Sequence, residues 1–217
     1  IMTCAGLGLG FLCSGFTDKL RHKLQFTSLI AFQNAGYLPL VLVAAMLPPA
    51  QLDVMFIYLF LFMLGFNMTM FSLGVYMLTF QRASKFDWLS LFSPPVVATL
   101  AGLAAVFLNI GRFIPDFVLK PLQMTGDCTV PLATLVVGGN IAALQSKRVY
   151  KRGMALMIFA KLVVMPVVGL WVVYALKLPF LIGFLIVLEL AMPPATNLSV
   201  VMRQYRLEDD MVSQGVF

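Results

Sequence analysis

The stretch Ala31-Phe-Gln-Asn-Ala-Gly-Tyr-Leu-Pro-Leu40 lies inside an apolar run and decides how the chain is read. Pro39 has no amide proton to donate and disfavours helical geometry at Leu38, while Gly36 opens dihedrals closed to other residues. A straight helix is therefore not expected through this run. A second stretch, Glu189-Leu-Ala-Met-Pro-Pro-Ala-Thr-Asn-Leu198, repeats the pattern deep in another apolar run, with Pro193, Pro194, Thr196 and Asn197 together. Unwound backbone in hydrocarbon persists only where protein or a water-filled cavity satisfies its freed amides and carbonyls. One proline kink is common in membrane helices and implies little. Two breaks, each with an asparagine beside it, predict a cavity. They lie five spans apart, an odd offset that reverses orientation, as in the two halves of an inverted repeat. Broken helices of this kind bring half-helix N-termini to the midplane, where free amides and positive dipole ends attract anions. The expected ligand is a small organic anion, and the candidate binding residues are Asn34, Gly36, Pro39, Pro194, Thr196 and Asn197.

Composition supplies the membrane. Apolar residues make up 61% of the chain and charged residues 11%, with a mean hydropathy of +0.95. A soluble domain carries about 25% charge to solvate its surface. Apolar segments fall at about 1–16, 25–47, 52–80, 88–110, 121–146, 153–175 and 178–202, with the start of another at 211. The first is too short to cross ~30 Å of hydrocarbon at ~1.5 Å per residue. The chain is accordingly expected to be a fragment of a larger transporter or to lack its ends. Taking the loop near residue 20 as cytoplasmic, alternate loops hold Lys19, Arg21, Lys23, Arg82, Lys85, Lys147, Arg148, Lys151, Arg152, Arg203 and Arg206. The opposite loops hold only Arg112, Lys120 and Lys177. This asymmetry supports the span count and makes the basic charge a topology signal rather than a nucleic-acid footprint.

Ionisable residues within spans are costly and hence candidates for function. Lys161 lies mid-span and could pair with Glu189 or with Asp127, serving either as a static brace or as a counter-charge to substrate. Glu189, four residues before Pro193, is the candidate for a coupling H+ or Na+, since a carboxylate beside unwound carbonyls supplies oxygen ligands. Cys4, Cys13 and Cys128 have neither zinc-ligand nor CxxC spacing and are read as small packing residues. His22, inside the basic cluster Lys19–Lys23, is expected in a solvated loop. Gly6-Leu-Gly-Leu-Gly10 and Gly138-Gly139 have small-residue spacing suited to close helix packing. Trp88 and Tyr150 fall where interfacial aromatic belts form. No catalytic residue, resident metal or cofactor is expected.

The runs Phe32–Leu40, Pro131-Leu-Ala-Thr-Leu-Val-Val-Gly-Gly139, Lys161-Leu-Val-Val-Met-Pro166 and Ala191-Met-Pro-Pro-Ala-Thr-Asn197 resemble the auxin efflux carrier family of membrane transporters, relatives of the bile acid–sodium symporters. The resemblance implies an all-α membrane protein of ten helices in two inverted five-helix repeats, with the fourth and ninth helices broken and crossing at the substrate site. Residues 1–80 would close the first repeat, with its broken helix at 25–47. Residues 81–217 would form the second, with its broken helix at 178–202, so that the chain runs from the third helix to the start of the tenth. The implied function is secondary active efflux, by alternating access, of auxin or a mono- or dicarboxylate such as malate or malonate. A sodium-coupled symporter of the bile acid type and a non-transporting membrane scaffold stay open as alternatives. The expected setting is a plasma membrane or bacterial inner membrane, with the lipid bilayer and optionally a second copy of the chain as partners, and no nucleic acid.

Overall fold

The computed structural model describes residues 2–16, 20–79, 94–142 and 151–204. The expected basic loops near 83, 149 and 206 lie largely outside the described residues, as do Trp88 and Tyr150. Within them the protein is helical, and no strand longer than one isolated bridge is formed. In chain order the helices are α1 (Met2–Cys13), α2 (Leu20–Ala31), α3 (Tyr37–Met46), α4 (Pro49–Thr69), α5 (Val75–Thr79), α6 (Pro94–Phe107), α7 (Asp116–Asp127), α8 (Thr129–Ala142), α9 (Lys151–Phe159), α10 (Met165–Leu176), α11 (Phe180–Leu190) and α12 (Thr196–Gln204).

Among the described residues, two rods are long and apolar enough to cross a bilayer, Pro49–Thr79 and Gly153–Leu176. Each contains one wide π turn. In the first rod, α4 and α5 are joined through Met70–Gly74. There the Thr69 and Ser72 hydroxyls donate to the carbonyls of Gly65 and Met68 at 2.9 and 2.7 Å, which loosens the regular ladder. In the second, α9 and α10 are joined through Ala160–Val164, with Pro166 the second residue of α10. Proline cannot donate to the preceding turn, and the wide turn accommodates it.

The remaining helices are shorter, and four of them arise from two interruptions. One span is broken at 32–36, between α2 and α3, and another at 191–195, between α11 and α12. The first break lies nearer the N-terminus than the 34–39 stretch suggests, because Pro39 is the third residue of α3. A first-turn position has no intrahelical acceptor to lose, and proline's fixed φ suits it. The expected span at 121–146 is likewise two helices, α7 and α8, meeting at Cys128 just before Pro131. α2 begins at Leu20, which places His22 in a helical turn rather than a loop.

Two apolar clusters hold the interruptions from opposite sides. Phe26, Leu29, Ile30 and Phe32 pack with Phe66, Met70, Leu78 and Leu198, joining α2 to α12. Leu40, Val43, Met55 and Leu59 pack with Leu185 and Leu188, joining α3 to α11. Helices α6 to α8 turn much of their apolar surface outward, and α7 buries none of its residues. Cys4 and Cys128 are exposed rather than packed.

Gly6 and Gly10 are buried where α1 crosses α2. A Cβ at Gly6 would stand 2.7 Å from Ala31 Cα, and one at Gly10 would stand 2.9 Å from Thr27 Cα. Gly8, Gly138 and Gly139 have nothing within 4 Å of such an atom, so the expected role in packing fails for the Gly138-Gly139 pair.

Two outcomes follow for thermal unfolding in detergent. Gly6→Ala and Gly10→Ala should each destabilise by about 1–3 kcal/mol through overpacking, whereas Gly8→Ala should be neutral or stabilising by up to about 1 kcal/mol. Phe32, fully buried with its ring edge-on to Phe66 at 6.1 Å, should cost about 3–5 kcal/mol when replaced by Ala; an unchanged midpoint would show that the first break is not held by this ring.

Candidate functional site

The two breaks meet. Gln33 lies opposite Pro194 as an isolated antiparallel pair. The Asn34 amide donates to the Pro193 carbonyl at 2.8 Å, and the Ala195 amide donates to the Phe32 carbonyl at 2.9 Å. In this register the paired residues themselves exchange no hydrogen bonds; their neighbours do. Pro194 therefore occupies the one position on its strand where a missing N–H costs nothing. Pro193 contributes only its carbonyl. The local sequence explains the geometry on both sides: two successive prolines end α11, because the residue before a proline avoids helical dihedrals, and α3 restarts at Tyr37 with Gly36 as its N-cap.

Beside the crossing lies a cavity of about 260 Å³. Its polar lining is Gln33, Asn34, Asn67, Thr196 and Asn197. Its apolar wall includes Tyr37, Met63, Phe66 and Phe71 from α3, α4 and the first π turn. Gly36 also lines it; a Cβ there would stand 3.1 Å from the Met63 methyl group. Since Tyr37 and Thr196 open α3 and α12, the first turns of both helices border the cavity. First-turn amides have no intrahelical acceptor, and these ends carry the positive pole of the helix dipole. No side chain caps α3. The lining contains no charged side chain.

Of the candidate binding residues, the structure gathers Asn34, Gly36, Thr196 and Asn197 around this cavity. Pro39 and Pro194 do not line it. Pro39 is buried in the first turn of α3, and Pro194 is consumed by the bridge. Both prolines shape the backbone rather than the cavity lining. Sequence reasoning missed Gln33 and Asn67. The available signal for Asn67 was a lone amide in the otherwise apolar run Leu64-Gly-Phe-Asn-Met68.

The C-terminal ends of α2 and α11 carry a different set of groups. Lys161, in the second π turn, is 1% exposed, and its Nζ donates to the Ile30 carbonyl at 2.8 Å. Glu189, in the last turn of α11, is wholly buried. The Lys161 ammonium and the Gln33 amide are close enough to act on it electrostatically. Lys161 is thus bonded to a backbone carbonyl. Asp127, the other acid considered for Lys161, is exposed at the end of α7 and is not part of this group.

Comparison with known proteins places the chain. The family described as Membrane transport protein matches residues 78–217. PIN-LIKES 7 of Arabidopsis thaliana is 31% identical over 137 residues, covering 57% of this chain and 35% of the relative. PIN-LIKES 5 of the same plant is 28% identical over 137 residues, covering 57% and 35%, and PIN-LIKES 1 is 27% identical over 134 residues, covering 55% and 28%. The chain spans about a third of the length of these curated relatives. No solved structure matches. With its apolar spans and the extent of this match, the chain belongs to the membrane transport protein family of auxin efflux carriers and PIN-like proteins and is membrane-integral.

Proposed function

We propose that the crossing at residues 32–36 and 191–195 is the substrate site of a secondary carrier for a small organic anion. The observation that carries this reading is the cavity of about 260 Å³ bordered by two helix N-terminal turns and by the amides of Asn34, Asn67 and Asn197. Amide donors and positive dipole ends recognise a carboxylate without a formal cation. The aromatic wall of Tyr37, Phe66 and Phe71 offers a face to a flat apolar body, as in auxin, while a mono- or dicarboxylate such as malonate would use the polar side alone. In this reading the α2/α3 and α11/α12 pairs are equivalent parts of two inverted repeats, within 1–80 and 81–217. The carrier alternates access by rocking one part of the molecule about the crossing.

The test is equilibrium binding of indole-3-acetate and of malonate to the purified full-length protein. Asn34→Ala and Asn197→Ala should each weaken binding by about tenfold or more, the value of a hydrogen bond to a charged group. Thermal midpoints measured on the same preparations separate recognition from capping of freed backbone. If the variants lose stability while their affinities stay at the wild-type value, the amides serve the fold and the site lies elsewhere.

A further inference from the structure

The weak helix formers of the first rod gather at one place. Gly65-Phe-Asn-Met-Thr-Met-Phe-Ser-Leu-Gly74 holds five of them in ten residues, Gly65, Asn67, Thr69, Ser72 and Gly74, and the π turn falls at its end. The buried residues that run through it, Phe66, Met70, Gly74 and Leu78, stand four apart. In a regular α-helix such a stripe drifts by about 40° per step and about 120° over three. The one residue that a π turn inserts takes back about 100° of this. Met157, Lys161, Met165 and Gly169 repeat the spacing across the π turn of the second rod. Of the two turns, the first contributes a side chain, Phe71, to the cavity lining. We propose that the π turn at Met70–Gly74 is a ligand-responsive joint: the rod exchanges there between wide and regular winding, and a ligand resting against Phe71 holds it wide.

The turn has the parts that such an exchange needs. In the wide winding the Val75 amide donates to the Met70 carbonyl, five residues back. Regular winding would give that carbonyl to the Gly74 amide, four residues on. Carbonyls released during the exchange have no water to receive them inside a bilayer, and serine and threonine hydroxyls can take its place. The Ser72 hydroxyl lies between two such carbonyls, 2.7 Å from that of Met68 and 3.2 Å from that of Thr69. The Thr69 hydroxyl holds the Gly65 carbonyl at 2.9 Å. Gly74 supplies the clearance, since a Cβ there would stand 3.2 and 3.3 Å from two carbons of the Phe32 ring. The Phe32 carbonyl in turn accepts the Ala195 amide, so a change of winding at Gly74 bears on the crossing itself.

The proposal rests on the carrier reading for its ligand, and the experiment separates the two. Amide hydrogen exchange of the full-length protein is followed with and without indole-3-acetate, and affinity and thermal midpoint are measured on the same preparations. In the ligand-free protein the amides of 70–75 should exchange about tenfold or more faster than those of 55–63 in the same rod. Indole-3-acetate should slow them by about tenfold while leaving 160–165 in the second rod at their ligand-free rate. Thr69→Ala combined with Ser72→Ala removes the hydroxyls that hold the wide winding. This protein should bind about tenfold more weakly with its midpoint unchanged or raised, a combination that loss of packing does not give. Thr69→Ser combined with Ser72→Thr, which keeps both hydroxyls, should bind as the wild type does. Slow exchange at 70–75 in the ligand-free wild type would overturn the proposal whether or not any variant folds. So would bound indole-3-acetate that leaves exchange there unchanged, or a double-alanine protein with wild-type affinity. Fast exchange at 70–75 in a protein that binds no anion would support the joint and defeat the carrier reading alone.

Discussion

Two backbone hydrogen bonds, Asn34 to Pro193 and Ala195 to Phe32, are the constraint on which the rest of the structure depends. A helix interrupted inside a bilayer leaves amides and carbonyls with no water to receive them. Each break supplies one donor and one acceptor to the other, so neither interruption could persist in that geometry alone. Once the breaks are paired, four half-helices, α2, α3, α11 and α12, meet at the crossing.

The surroundings secure this pairing through both long rods. The π turn at Met70–Gly74 brings Gly74 against the Phe32 ring and sends Phe71 into the cavity wall. The π turn at Ala160–Val164 delivers Lys161 to Ile30. Both irregular turns thus act on the same few residues at the first break, one through packing and one through charge. Burial of Phe32, Ile30 and Leu198 supplies the apolar driving force that a pair of hydrogen bonds does not.

What was legible in the sequence was local. Proline, glycine and asparagine at 34–39 and 193–197 signal interruption because their effect on the backbone needs no distant partner. The register of the first break was misplaced because proline is as acceptable in the first turn of a helix as in a loop, so Pro39 marks a restart and not the gap itself. Non-local features were not legible. Gly6 and Gly138 both sit in small-residue pairs within apolar runs, yet only the former meets another backbone, and that depends on where α2 runs. The partner of Lys161 is a carbonyl 131 residues away, a group every residue possesses and no sequence pattern advertises. Gln33 and Asn67 reach the cavity only because the breaks and α4 are brought together.

The position of Pro194 in the bridge sets a limit on its length. With Pro193 and Pro194 both lacking an N–H, the ladder cannot propagate along that segment beyond the two bonds already made. A longer ribbon would lock the two segments into one plane and resist twisting. A single pair of bonds instead fixes the distance between the segments while leaving their relative angle compliant. The crossing is therefore a point contact and not a ribbon: it sets the spacing of the two segments and adds no further ladder between them.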